Sequence, residues 1–194
     1  RDASNSNYGT AVVSTVSGTS ISFGSETVYE SADSRENSIS YDANAQKLLI
    51  SFADNGNDFR GTSIVATVSG TSISFGSAAI FESGAYVLPN YPIVSVYDSN
   101  AQKTVIYYQG GADGYAIVAT ISGTSVSFGS RAESEGTGGT QFMGSVGYDT
   151  TANKTVFAYR NGGDNVGYVN TGTISGTSIS FGTRLSIAGG AYYY

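Results

Sequence analysis

Apolar and polar residues alternate along this chain in short runs. In Ser72-Ile73-Ser74-Phe75 the serines fall on one side of an extended backbone and Ile73 and Phe75 on the other, the two-residue period of a half-buried strand. Around it the pattern predicts four short strands. Ile39 to Tyr41 leads through the turn Asp42-Ala43-Asn44-Ala45-Gln46-Lys47 into the apolar run Leu48 to Phe52, a hairpin. A Gly/Asn/Asp loop leads to a third strand over Ser63 to Val68. A tight Ser69-Gly70 turn then gives a fourth over Ser72 to Ile80. No stretch of helical length carries a 3.6-residue apolar stripe, so the class is all-β.

The same words return. VSGTSISFG spans Val16 to Gly24 and again Val68 to Gly76, followed by ISGTSVSFG from Ile121 to Gly129 and ISGTSISFG from Ile174 to Gly182. Tyr41-Asp42 to Lys47 recurs as Tyr97-Asp98 to Lys103 and Tyr148-Asp149 to Lys154. A four-stranded antiparallel unit of about 52 residues predicts a β-propeller-like array of blades, with a repeated β-sandwich as the alternative. The expected blades cover 36–83, 91–135 and 142–187, with partial blades at 1–31 and 188–194. Arg1 in place of Met, and a terminal Tyr192-Tyr193-Tyr194 that reads as a strand just begun, give the expectation that the chain belongs to something longer.

Composition narrows the chemistry. The chain has no Cys, His or Trp, which removes disulfides, thiol nucleophiles, His-based triads and the usual zinc and haem sites. A formal charge of -6 argues against a nucleic-acid partner, and no apolar run approaches the roughly 20 residues that would insert in a membrane. The six Glu and nine Asp are scattered, with no recurring pair of acid and base and no nucleophile turn, so a non-catalytic role is expected; a sialidase-like glycoside hydrolase is the enzyme alternative.

The words SGTSISFG and YDSNAQK, with the loop Arg1 to Gly9 before the first of them, resemble repeats of marine bacteriophage tail fibres and virion surfaces and of secreted marine bacterial repeat proteins. The resemblance implies an extracellular or virion-surface structural and adhesive role, with a host receptor or surface glycan and other copies or segments of the same fibre as partners. A secreted lectin-like propeller is the alternative. The strand, Ser-Gly turn and strand ending in Phe also look like the hairpin of sialidase-like propellers, without that motif's Asp and Trp.

Candidate sites lie where the repeat breaks down. The connections Glu30 to Asn37, Glu82 to Tyr91 and Ala132 to Phe142 differ most, and variation on a constant scaffold is where recognition concentrates. Asp33, Arg35 and Glu36, then Tyr86, Asn90 and Tyr91, then Glu133, Glu135 and Gln141 are the candidate ligand-binding residues. No cofactor is expected beyond a Ca²⁺ ion, for which Asp54, Asn57 and Asp58 offer oxygen ligands; their spacing departs from the established calcium loop, and a turn with positive φ at Gly and Asn is the competing reading. Asp42, Asp98 and Asp149 are read as turn residues that accept backbone N–H groups.

Overall fold

The computed structural model describes residues 1–84, 87, 91–111, 113–134 and 141–187, the side chains of 141–143 excepted. Its described residues form antiparallel β-structure and two short 3₁₀ turns. The first elements are β1 (Tyr8–Ala11), the hairpin β2 (Ser14–Ser17) and β3 (Ser20–Phe23), and the long β4 (Thr27–Asp42). Sheet I continues with β5 (Lys47–Asp54), β6 (Arg60–Ser69), β7 (Ser72–Phe75) and β8 (Ala79–Glu82). Sheet II holds β9 (Val94–Asp98), β10 (Lys103–Gly110), β11 (Asp113–Ser122), β12 (Ser125–Phe128) and β13 (Ala132–Glu133). Sheet III repeats this with β14 (Gln141–Asp149), β15 (Lys154–Asn161), β16 (Gly167–Ser175), β17 (Ser178–Phe181) and β18 (Leu185–Ser186).

Each sheet is a meander in which the third strand carries two short strands end to end on its outer side. In sheet I, β6 pairs with β7 through Ala66 to Ser69 and with β8 through Gly61 to Ser63. The expected single strand Ser72 to Ile80 is therefore broken at residues 76–78, while the Gly76 N–H still donates to the Val65 carbonyl across the break. The reason lies in the neighbouring sheet. A Cβ on Gly76 would stand 1.8 Å from the backbone oxygen of Thr124, so the turn of sheet II rests on bare backbone. Gly24 meets Thr71 and Gly129 meets Thr177 in the same way.

The turns follow local chemistry. Asp42 Oδ1 accepts the N–H groups of Asn44 and Ala45, Asp98 that of Ala101, and Asp149 those of Thr151 and Ala152. Gln46, Gln102 and Asn153 close these turns at φ of 53–54°. In the Ser-Gly-Thr-Ser turns the glycine, at φ 59–62°, takes the first loop position, as a type II′ hairpin requires.

The expected boundary between 1–31 and 36–83 is not a loop. β4 runs unbroken from Thr27 to Asp42: its first half pairs with β1 as β8 pairs with β6, and its second half is the first strand of sheet I. Glu30 to Asn37 holds no Gly or Pro to stop a strand, and the change of partner is absorbed by a register shift between Arg35 and Ser38 with Glu36 at φ 52°. The outer strand of one unit thus feeds directly into the inner strand of the next.

The sheets stack face to face. Leu49, Val65 and Phe81 of sheet I pack with Ile106, Tyr108, Ile117, Ile121 and Val126 of sheet II. Val105, Tyr107 and Val118 on the opposite side of sheet II pack with Phe157 and Ile179 of sheet III. Ile50, Phe52, Ile64 and Ala66 meet Tyr29 on the far side of sheet I. Phe81, 7% exposed, stands between the rings of Tyr108 and Phe128 at 5.0 and 5.9 Å, and Tyr29 stands between Phe52 and Phe75 at 5.3 and 5.7 Å. Burying such a ring contributes roughly 2–3 kcal/mol. Apart from its first residue, β10 is buried throughout, as a strand covered on both faces must be, whereas β15 alternates between half-buried and buried because, among the described residues, no further sheet covers the outer face of sheet III.

Candidate functional site

In a four-stranded meander the first and third turns lie at one end of the sheet, and the second turn and the exit to the next sheet lie at the other. The constant Asp-to-Lys and Ser-Gly-Thr-Ser turns therefore share one end, and all of the non-repeating segments share the opposite end. Ties along the chain agree with this. Val87, in the connection from sheet I to sheet II, donates its N–H to the Phe59 carbonyl and bridges Gly110, and Ser134 donates its N–H to the Gly114 carbonyl.

At this variable end each sheet presents an arginine over an aromatic ring. Arg35 lies 5.5 Å from the centroid of Phe59, Arg131 4.4 Å from Tyr115, and Arg184 4.2 Å from Tyr168. All three rings are half-buried. Carboxylates complete the groups. Asp33 accepts from the Arg1 and Arg35 guanidiniums at 2.7 Å and from the Asn55 amide at 3.4 Å. Burial alone would raise the Asp33 carboxyl, but Arg35 and Arg1 outweigh it and hold the group below the ordinary aspartate range. The Tyr168 hydroxyl donates to Asp164 at 2.7 Å.

The second group is the most deeply set. Glu82 is 4% exposed and accepts the Tyr108 hydroxyl at 2.8 Å, the Arg131 guanidinium at 2.5 Å and the Gly84 N–H at 2.8 Å. Desolvation pushes its carboxyl up, and these three donors together bring it below the usual glutamate value. Arg131 thereby ties sheet II to the last strand of sheet I. Tyr91 and Pro92 line a narrow cleft beside it with Tyr107, Tyr108, Gln109 and Gly144.

Of the expected residues, Asp33, Arg35 and Glu36 lie on strand β4 rather than in a loop, with Asp33 and Arg35 paired. Tyr91 lines the cleft, and Glu133 is exposed on β13. Tyr86, Asn90 and Glu135 lie outside the described residues, as do the Gln141 side chain and the Tyr192-Tyr193-Tyr194 terminus. Glu82, Arg131, Tyr115, Arg184, Tyr168 and Asp164 were not among the expected residues. Their signal was present: Arg131 and Arg184 stand one repeat apart, as do Tyr115 and Tyr168.

Of the three residues expected to offer oxygens to Ca²⁺, Asp54 turns its oxygen to the backbone. Asp54 caps the 3₁₀ turn Asn55–Asn57 by accepting the Gly56 N–H at 2.9 Å, and positive φ falls on Asp58 and Phe59 rather than on Gly56. Among the described residues no three Asp or Glu come together as a metal site. Burial raises the carboxyl of Asp54, and burial followed by repulsion from Asp54 raises that of Glu30. No protein-family model, curated protein or solved structure matches the chain.

Proposed function

We propose that this chain is a non-catalytic structural and adhesive repeat module of an extracellular fibre or virion surface, and that the variable end of its sheets binds neutral surface glycan. The observation that carries this reading is the segregation of repeat and variation. The scaffold spends its identical turns at one end and gathers three different Arg–aromatic–carboxylate groups at the other. A half-buried ring gives a sugar a flat apolar face, and guanidinium and carboxylate beside it donate to and accept from hydroxyl pairs. The sheets are read as propeller blades. Their first strands adjoin, with the Ser38 and Ser95 hydroxyls 2.9 Å apart and the Asn100 N–H donating to the Tyr148 hydroxyl at 3.2 Å, which supports an axis lined by β4, β9 and β14.

A glycan array probed with residues 1–194 tests the function. Binding that falls when Arg35, Tyr91 or Tyr168 is changed to Ala, and survives Asp42→Ala at the constant end, supports it; an empty array, or binding lost only through the constant end, removes it. Small-angle scattering tests the architecture, since sheets splayed around an axis give a wedge-shaped envelope and parallel-stacked sheets a straight block.

A further inference from the structure

We propose that a second copy of this chain docks head to tail on the first, the hairpin β2–β3 of one copy seating on the outer face of sheet III of the other. The chain itself contains the template for this contact. Three times along the stack a hairpin lays its apolar side on the preceding unit, while the carbonyl of its turn threonine rests on that unit's glycine: Thr71 on Gly24, Thr124 on Gly76 and Thr177 on Gly129. In the second and third of these contacts Ile121 and Val126 are each 9% exposed and Ile179 is 8% exposed; in the first, on the two-stranded hairpin alone, Ile73 is half-buried and Val68 is 44% exposed.

Among the described residues both halves of the same contact are exposed, on opposite sides of the stack. The first hairpin carries Val16, Ile21 and Phe23 at 66%, 60% and 70% exposure, with its turn residue Thr19 also exposed. At the other end, among the described residues, a Cβ on Gly182 would have only Thr171 of its own sheet within 4 Å, and no described turn rests there. Leu185 and Ile187 beside it are 66% and 56% exposed, and β15 turns its half-buried side the same way. Ile187 occupies the place that Ser134 holds in sheet II, Phe81 in sheet I and Tyr29 in the unit before it. Its N–H donates to Gly167 as that of Ser134 does to Gly114. Phe23 would meet Ile187 as Phe75 meets Tyr29 and Phe128 meets Phe81. A head that fits a tail is a heterologous contact, which forms a ring where the rotation closes and a filament where it does not.

Sedimentation velocity on the 194-residue chain over a wide concentration range tests this. The expected result is reversible growth in whole multiples of the chain mass. Phe23→Glu blocks every head and Gly182→Ala every tail, so each variant alone should associate roughly a hundredfold more weakly than the parent. Mixed together, the two should form one-to-one dimers and stop there, because each supplies the end the other lacks. Phe23 is 70% exposed, and a Cβ on Gly182 would press only on the rotatable Thr171 hydroxyl oxygen, at 2.9 Å, so both variants are checked by circular dichroism, with Ile21→Lys as a second head variant if Phe23→Glu fails. A parent chain that stays monomeric throughout, as it would if its own two ends closed on each other, overturns the proposal. So does association that persists in both head variants, or a mixture that stays apart.

Discussion

The two ends of the sheets are held by different kinds of interaction. At the constant end each turn is shaped by its own residues: Asp42 reaches N–H groups two and three residues on, and the glycines of the Ser-Gly turns take the positive φ that the turn requires, with contacts to other sheets such as that of Asp98 with Thr155 added to a turn already formed. At the variable end the partners are distant in sequence. Arg1 meets Asp33, Tyr108 meets Glu82, and Arg131 reaches 49 residues back to the same carboxylate. A turn that depends on its neighbours in sequence can be copied whole, and copying leaves it unchanged. A site that depends on residues from two units can differ at each joint while the units stay alike.

The contrast can be tested by substitution, from the largest expected effect to the smallest. Gly76→Val puts a branched side chain into the Thr124 carbonyl and should cost about 3 kcal/mol or more in urea unfolding. The same change at Gly182, where no described turn rests, should cost less than half of that. Equal losses at the two positions would mean that the glycine matters for its own strand rather than for the joint.

At the variable end, Glu82→Gln leaves Arg131 and the Tyr108 hydroxyl without their carboxylate. About 2 kcal/mol of destabilisation is expected at neutral pH, moderated because the Arg131 side chain is 42% exposed. The folded state holds the Glu82 carboxyl below its ordinary value. Its contribution is therefore fully present above the unfolded glutamate range and is lost as pH falls through the folded one. The gap between parent and variant should narrow on acidification. Glu30→Gln should behave in the opposite sense. Its carboxyl is raised, so the charged form weakens the fold as pH rises through that range, and the variant should equal or exceed the parent in stability at neutral pH. A Glu30→Gln chain less stable than the parent at neutral pH would contradict this.

At the constant end, Asp98→Ala removes an acceptor for the Ala101 N–H and for the Thr155 hydroxyl, and should cost about 1–2 kcal/mol in thermal or urea unfolding with glycan binding intact. Arg35→Ala should do the reverse. Its exposed ion pair and its position over Phe59 are worth roughly 0.5–1 kcal/mol, so the melting temperature should barely move while retention on the array falls. If both substitutions change stability and binding together, the two ends are not functionally distinct.

The same contrast decides what could be read before the fold was known. The Asp-to-Lys and Ser-Gly turns are legible because the hydrogen bonds and φ angles that shape them lie within a few residues, and the alternation of Ile73 and Phe75 shows the strand that follows. The continuity of β4 was not legible. Between Glu30 and Asn37 the sequence differs from the later joints, and difference alone suggests a loop, although nothing there disfavours extended backbone. Asp33 and Arg35 were found through that difference, and they do pair. Glu82 and Arg131 were missed because each looks like an ordinary surface charge until two sheets are laid together, when Glu82 becomes buried and needs a cation.

The threonine oxygen resting on glycine has a geometric consequence for any assembly built from this unit. With only a hydrogen on the lower backbone, the separation at Gly24, Gly76 and Gly129 is set by the thickness of the main chain and not by the size of any side chain. Each step up the stack repeats the last one. Curvature is then a property of the step and not of the number of steps, and a methyl group at one of these glycines would put a corner into an otherwise even arc.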